Sequence, residues 1–229
     1  MEAIQEELDL SAGDVSTLHE TELREQGNAF DFLEELYTMT ADDRLRSADA
    51  LAGMILHKFT DSTTGKLESA FVETVLIDGS IDVLEAIEGV HAQALLVTAG
   101  GSVLQTVKAR VLQEMVRQEA GQRVIADIND YVVVPNSKQY KTSLMAECFD
   151  SEGVFDIERL LEHGSCYGNI DGDRYSNIRE VLVIDDKPEN TQYASDNVHG
   201  LLVYPDGEAD KRERNSLHTV AAKLYQLAA

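Results

Sequence analysis

Apolar residues in the first third of the chain recur at helical spacing. Ile4, Leu8 and Leu10 form one set, Phe30, Phe32, Leu33, Leu36 and Tyr37 a second, and Leu45, Ala48, Leu51, Met54 and Ile55 a third. Spacing of three and four residues puts each set on one face of a helix. The pattern breaks at Ser11 to Asp14 and again across 38–43, where Thr40 is placed to cap the next helix. From about residue 74 short apolar runs alternate with helical stretches, which predicts βα units and a mostly parallel sheet. The predicted strands are 94–97, 124–126, 131–134, 181–184 and 201–203. The predicted helices are 81–88, 102–118, 138–148, 155–163, 189–195 and 214–227, and 164–178 reads as a polar loop. The expected organisation is a helical domain over 1–72 followed by an α/β core over 73–229.

Composition narrows the partners. The 229 residues suffice for a core without disulfide staples. With 42 acidic against 19 basic residues the formal charge is -23, which repels nucleic-acid phosphates, so no nucleic-acid partner is expected. Hydrophobic residues make up 43% of the chain, so the acidity belongs to a solvated surface and not to a disordered chain. No apolar run approaches the roughly 20 residues needed to span a bilayer, and no membrane partner is expected. The opening MEAIQEELDL is acidic and amphipathic, unlike a basic-headed signal peptide. Cys148 and Cys166 lack C-x-x-C spacing, and a reducing cytoplasm is the expected location. The six histidines have no zinc-ligand spacing.

Ligands of open parallel sheets gather beyond the carboxyl ends of the strands. Three predicted strand ends carry suitable groups. Strand 94–97 runs into Thr98, Ala99, Gly100 and Gly101, a hydroxyl followed by main-chain N–H groups at a helix start that can hold an anion. Strand 131–134 leads to Lys138 and Lys141 near the start of a helix, where a cation opposes the helix dipole and so calls for a positional reason. Strand 181–184 ends on Asp185 and Asp186, with Asn190 one helical turn beyond. Adjacent carboxylates at a partly buried strand end require a compensating cation, and hard oxygen donors of this kind suit Mg²⁺.

Taken in order, ALLVTAGG, the lysine after DYVVVPNSK, VLVIDDKPEN and the following LLVYPDG resemble motifs of the haloacid dehalogenase-like (HAD) hydrolase superfamily, over about residues 72–229. The resemblance implies a Rossmann-type parallel sheet with helices on both faces, and a helical cap in residues 1–72. It also implies Mg²⁺-dependent phosphoryl transfer on a small phosphorylated metabolite. Thr98, with Ala99 and Gly100, would hold phosphate; Lys141 or Lys138 would balance charge; Asp185, Asp186 and Asn190 would form the metal site.

One motif of that family is missing. A strand ending in an Asp-x-Asp nucleophile should precede the cap, and MEAIQEELDL does not match it. In TVLIDGSID, Asp78, Gly79 and Ser80 imitate the second half of the motif, but Leu76 would stand where the nucleophile belongs. The alignment preferred here makes LIDGSIDVLEAI the loop and helix leading from cap to core. The expectation is a phosphatase-type chain with little or no turnover, or alternatively a non-catalytic phosphate- or Mg²⁺-binding regulator. The missing strand would lie between those ending at Thr98 and Asp185. Its loss leaves two apolar edges to be closed together, filled by another segment, completed by upstream sequence, or buried in a homo-oligomer.

Overall fold

In the computed structural model, which describes residues 47–135, 141–193, 195–203 and 216–227, Ser47 begins the first described helix by accepting the Ala50 N–H through its Oγ at 3.2 Å. That helix, α1 (Ala48–Lys58), is followed by α2 (Ser69–Val75) and α3 (Ser80–Gly89). Leu51 and Ala52 of α1 and Val72 of α2 are buried against Val107, Val111 and Met115 of a long helix, α4 (Ser102–Ala120). Ala48, Met54 and Ile55 border the same cluster, so with Leu51 these members of the third apolar set line one helix face. The first two sets, Leu45 of the third, Thr40 and Lys138 lie outside the described residues.

Two small sheets form the centre. In the first, β1 (Leu96–Ala99) pairs in parallel with β2 (Tyr131–Val134), which pairs antiparallel with β3 (Cys166–Gly168). In the second, β4 (Val181–Asp185) pairs in parallel with β5 (Val198–Leu202). The remaining helices are α5 (Lys141–Glu147), α6 (Ile157–His163), the short α7 (Pro188–Thr191) and α8 (Leu217–Leu227). The chain is a mixed α/β protein with parallel and mixed sheets.

Three sequence expectations need correction. The first core strand runs from 96 to 99, so Thr98 lies within the ladder and not beyond it. Residues 124–126 form no strand: the Ala126 N–H donates to the Leu84 carbonyl of α3, and Ala126 packs with Ala94, Val116 and Ile128, leaving no ladder partner. The expected polar loop 164–178 contains β3, whose alternating half-exposed residues hide it from a search for apolar runs. The TVLI segment before Asp78 is no strand either: Thr74 and Val75 end α2, and Leu76 is its C-cap.

Helices cover both faces of the two sheets. On one face Leu144 and Met145 of α5 and Leu160 of α6 pack with Val132 and Val134 of β2, Val183 of β4 and Val198 of β5. On the other, α3 reaches both sheets: Val83 and Ala86 join Ile184, Leu201 and the α8 residues Val220 and Leu224, while Leu84 meets Leu96. His218 of α8 pins that helix to the α3 entrance, with Nδ1 2.8 Å from Asp82 Oδ2 and Nε2 3.1 Å from Asp78 Oδ2. Both sheets are thus held in one layer, yet they share no ladder. The edges of β1 and β4 have not closed together, and residues of both line a cavity of about 280 Å³.

Candidate functional site

The site is built at the carboxyl end of β4. Asp185 is the last residue of that strand and its side chain is 6% exposed. Its Oδ2 accepts a 2.6 Å hydrogen bond from Lys141 Nζ, the first residue of α5. Its Oδ1 accepts from the Lys187 N–H at 2.9 Å and from Asn190 Nδ2 at 3.0 Å. Burial alone would push the Asp185 pKa up, but the Lys141 ammonium, the Asn190 amide and the Lys187 N–H together hold it below the ordinary carboxylate range. Asp185 is therefore a fixed anion with every close donor supplied by the protein.

Local sequence explains half of this arrangement. Pro188 sits at the first position of α7, where a missing N–H costs nothing, and the short helix carries Asn190 back toward the strand end. Lys141 arrives from 44 residues away, so its partner is set by the packing of α5 over both sheets. The positional reason for a cation at this helix start is Asp185.

α7 rests directly on β5 at Gly200. A Cβ added there would overlap the main-chain carbonyl of Thr191, the last residue of α7. Gly200→Ala is expected to cost about 3 kcal/mol and to loosen α7, read as a lowered urea midpoint with faster amide exchange at 188–191. An unchanged midpoint would refute the close approach.

Asp186 is exposed and makes no hydrogen bond or ion pair to the described residues. For Mg²⁺ the donor chemistry fits in part: Asp186 is open, and Asp185 Oδ2 retains a lone pair beside Lys141. Asn190 uses its amide to orient Asp185.

The anion turn after β1 differs from expectation. The Gly100 N–H is committed to the Val134 carbonyl at 3.1 Å, closing the β1–β2 ladder, so it is not free for phosphate. Thr98 Oγ1 donates to Gln105 Oε1 at 2.8 Å, and Gln105, 4% exposed, folds over the turn. Gly100 has φ +135°, and a Cβ there would meet Gln105 Nε2 at 2.9 Å. Ala99 is exposed. Lys141, Asp185 and Asn190 are brought together; Thr98 is instead held by Gln105. That glutamine was missed, although a polar residue on the buried stripe of α4 was the available signal.

The chain matches no protein-family model. Comparison with curated proteins and with solved structures also finds no match.

Proposed function

We propose that this chain is a HAD-like hydrolase core of the phosphatase type, lacking its nucleophile and without phosphate turnover of its own. The observation that carries the reading is the compensated Lys141–Asp185–Asn190 constellation at a parallel strand end, joined by the open carboxylate of Asp186. Lysine here balances a carboxylate-rich site, and Asp185 and Asp186 would hold Mg²⁺. When bound, that ion would neutralise phosphate charge. Thr98 and Ala99 would face the phosphate once Gln105 swings away, and residues 1–72 would act as the cap that selects a small phosphorylated metabolite.

The expected result with an aryl phosphate and Mg²⁺ is no release of phenol above buffer. Robust turnover abolished by Asp185→Asn would overturn the inactivity. The second reading, a regulator that binds Mg²⁺ or phosphate, is favoured by Asp186 standing beside Asp185 without a side-chain partner among the described residues. It predicts calorimetric Mg²⁺ binding lost in Asp186→Ala, and a folded chain that takes up neither ion would refute it.

A further inference from the structure

The gap between the two sheets has the walls of a strand-binding slot. On β1 the N–H groups of Leu96 and Gly100 point to β2. Alternation therefore turns the N–H and C=O of Leu95 and Val97 to the opposite edge. On β4 the Val181 N–H donates to the Asn197 carbonyl, and the Asp185 carbonyl accepts from the Val203 N–H, both toward β5. Leu182 and Ile184 accordingly turn theirs away from β5. All four residues line the same cavity, and none of these outward groups has a main-chain partner among the described residues.

The walls run in the same direction. At their starts, the Tyr175 hydroxyl lies 3.3 Å from the Ala94 carbonyl before β1, and the same short turn ends at Ile178, just before β4. At their finish, Lys141, which follows β2, meets Asp185 at the end of β4. The two faces of the cavity are closed by Met145 on one side and by Ile87 and Leu224 on the other. What remains open is a channel in the plane of the sheet. Its exposure is visible in the strands: all four residues of β2 are buried, whereas Leu182 is 38% exposed and Leu95, Val97 and Ile184 are half-buried.

We propose that this slot binds one extended apolar strand of another polypeptide, inserted parallel to β1 and β4. The unpaired main-chain groups on both walls select a peptide over a lipid, because only a peptide backbone can satisfy both rows. Helices on both faces require the strand to be apolar on both sides, hence rich in Val and Ile. Residues 1–46 have no more than two consecutive apolar residues and do not provide such a run. The proposal rests on backbone geometry and is independent of any phosphate chemistry.

The test uses the whole chain and an end-blocked peptide, Val-Ile-Val-Val, with a soluble tail. Hydrogen exchange at the Leu95, Val97, Leu182 and Ile184 amides is expected to slow at least tenfold at saturation. Leu182→Pro removes a slot-facing N–H without touching the β4–β5 ladder and is expected to weaken binding about tenfold. Absence of protection in the folded wild-type chain overturns the proposal. So does equal protection by dodecanoate, which would make the gap a lipid cavity, and so does protection already present in a peptide-free dimer, which would make the occupant a second copy.

Discussion

Lys141→Met is expected to destabilise the fold by about 3 kcal/mol at neutral pH, because it leaves the Asp185 carboxylate buried without its cation. The loss falls at the lower end of the range for broken buried pairs, since Lys141 is 23% exposed and Asp185 keeps Asn190 and the Lys187 N–H. The sign of the pH dependence follows from the folded-state pKa. In the wild type it is depressed, so Asp185 contributes stability above its unfolded value that is lost only as pH falls through the lower folded value. Without Lys141 the depression is weakened and the folded-state pKa moves up, so the variant's deficit is full at neutral pH and shrinks as pH is lowered, which can be followed from pH 7 down to about 5. That window also stays above the sequence pI of about 4.4, where the protein is least soluble. Urea midpoints at both pH values measure the effect. Adding Asp185→Asn to Lys141→Met should recover most of the loss, because the amide can still accept the Lys187 N–H without carrying charge. A single variant within about 0.5 kcal/mol of wild type at neutral pH would show that Lys141 and Asp185 are only neighbours.

Arg174→Met should cost more, about 4 kcal/mol, because Asp130 is completely buried. Asp130 Oδ2 accepts from Arg174 Nη1 at 3.0 Å and from the Tyr175 hydroxyl at 2.7 Å, while Oδ1 has no partner among the described residues. Removing the guanidinium leaves a buried carboxylate with one neutral donor. The damage extends beyond the pair, since Arg174 Nη2 also holds Gln93 at 3.1 Å and Tyr175 reaches the Ala94 carbonyl, which together fix the start of β1. Tyr175→Phe retains the cation and is expected to cost only about 1–2 kcal/mol. Equal losses from the two variants would mean that the hydroxyl, and not the charge, secures Asp130. Chemical denaturation with an unchanged slope distinguishes them from altered compactness.

The candidate site was partly legible because it sits where strands end. The Val181–Ile184 run, the two carboxylates after it, Pro188 and Asn190 are neighbours in sequence, so their proximity needed only strand and helix geometry. Lys141 was legible as an oddity, a cation at the wrong end of a helix, without its partner being identified. Gln105 was not legible: it bonds Thr98 across the turn from β1 to α4, and helical periodicity counts it simply as one polar residue. The Gly100 N–H was misread as free because its acceptor, the Val134 carbonyl, belongs to a strand 34 residues later.

Apolar period was enough to establish an α/β chain and most of its helices, and strand-end chemistry brought out the carboxylate pair, since these depend on contacts within a few residues. Pairing between distant segments was another matter. Whether Asp185 would be an open ligand or a compensated anion depended on α5 bringing Lys141 over both sheets. Whether β1 and β4 would close on each other depended on helices that bury both sheets in one layer without drawing their edges together. Long-range hydrogen bonds and shared cores carry no local periodicity, and that is why these outcomes became readable in three dimensions alone.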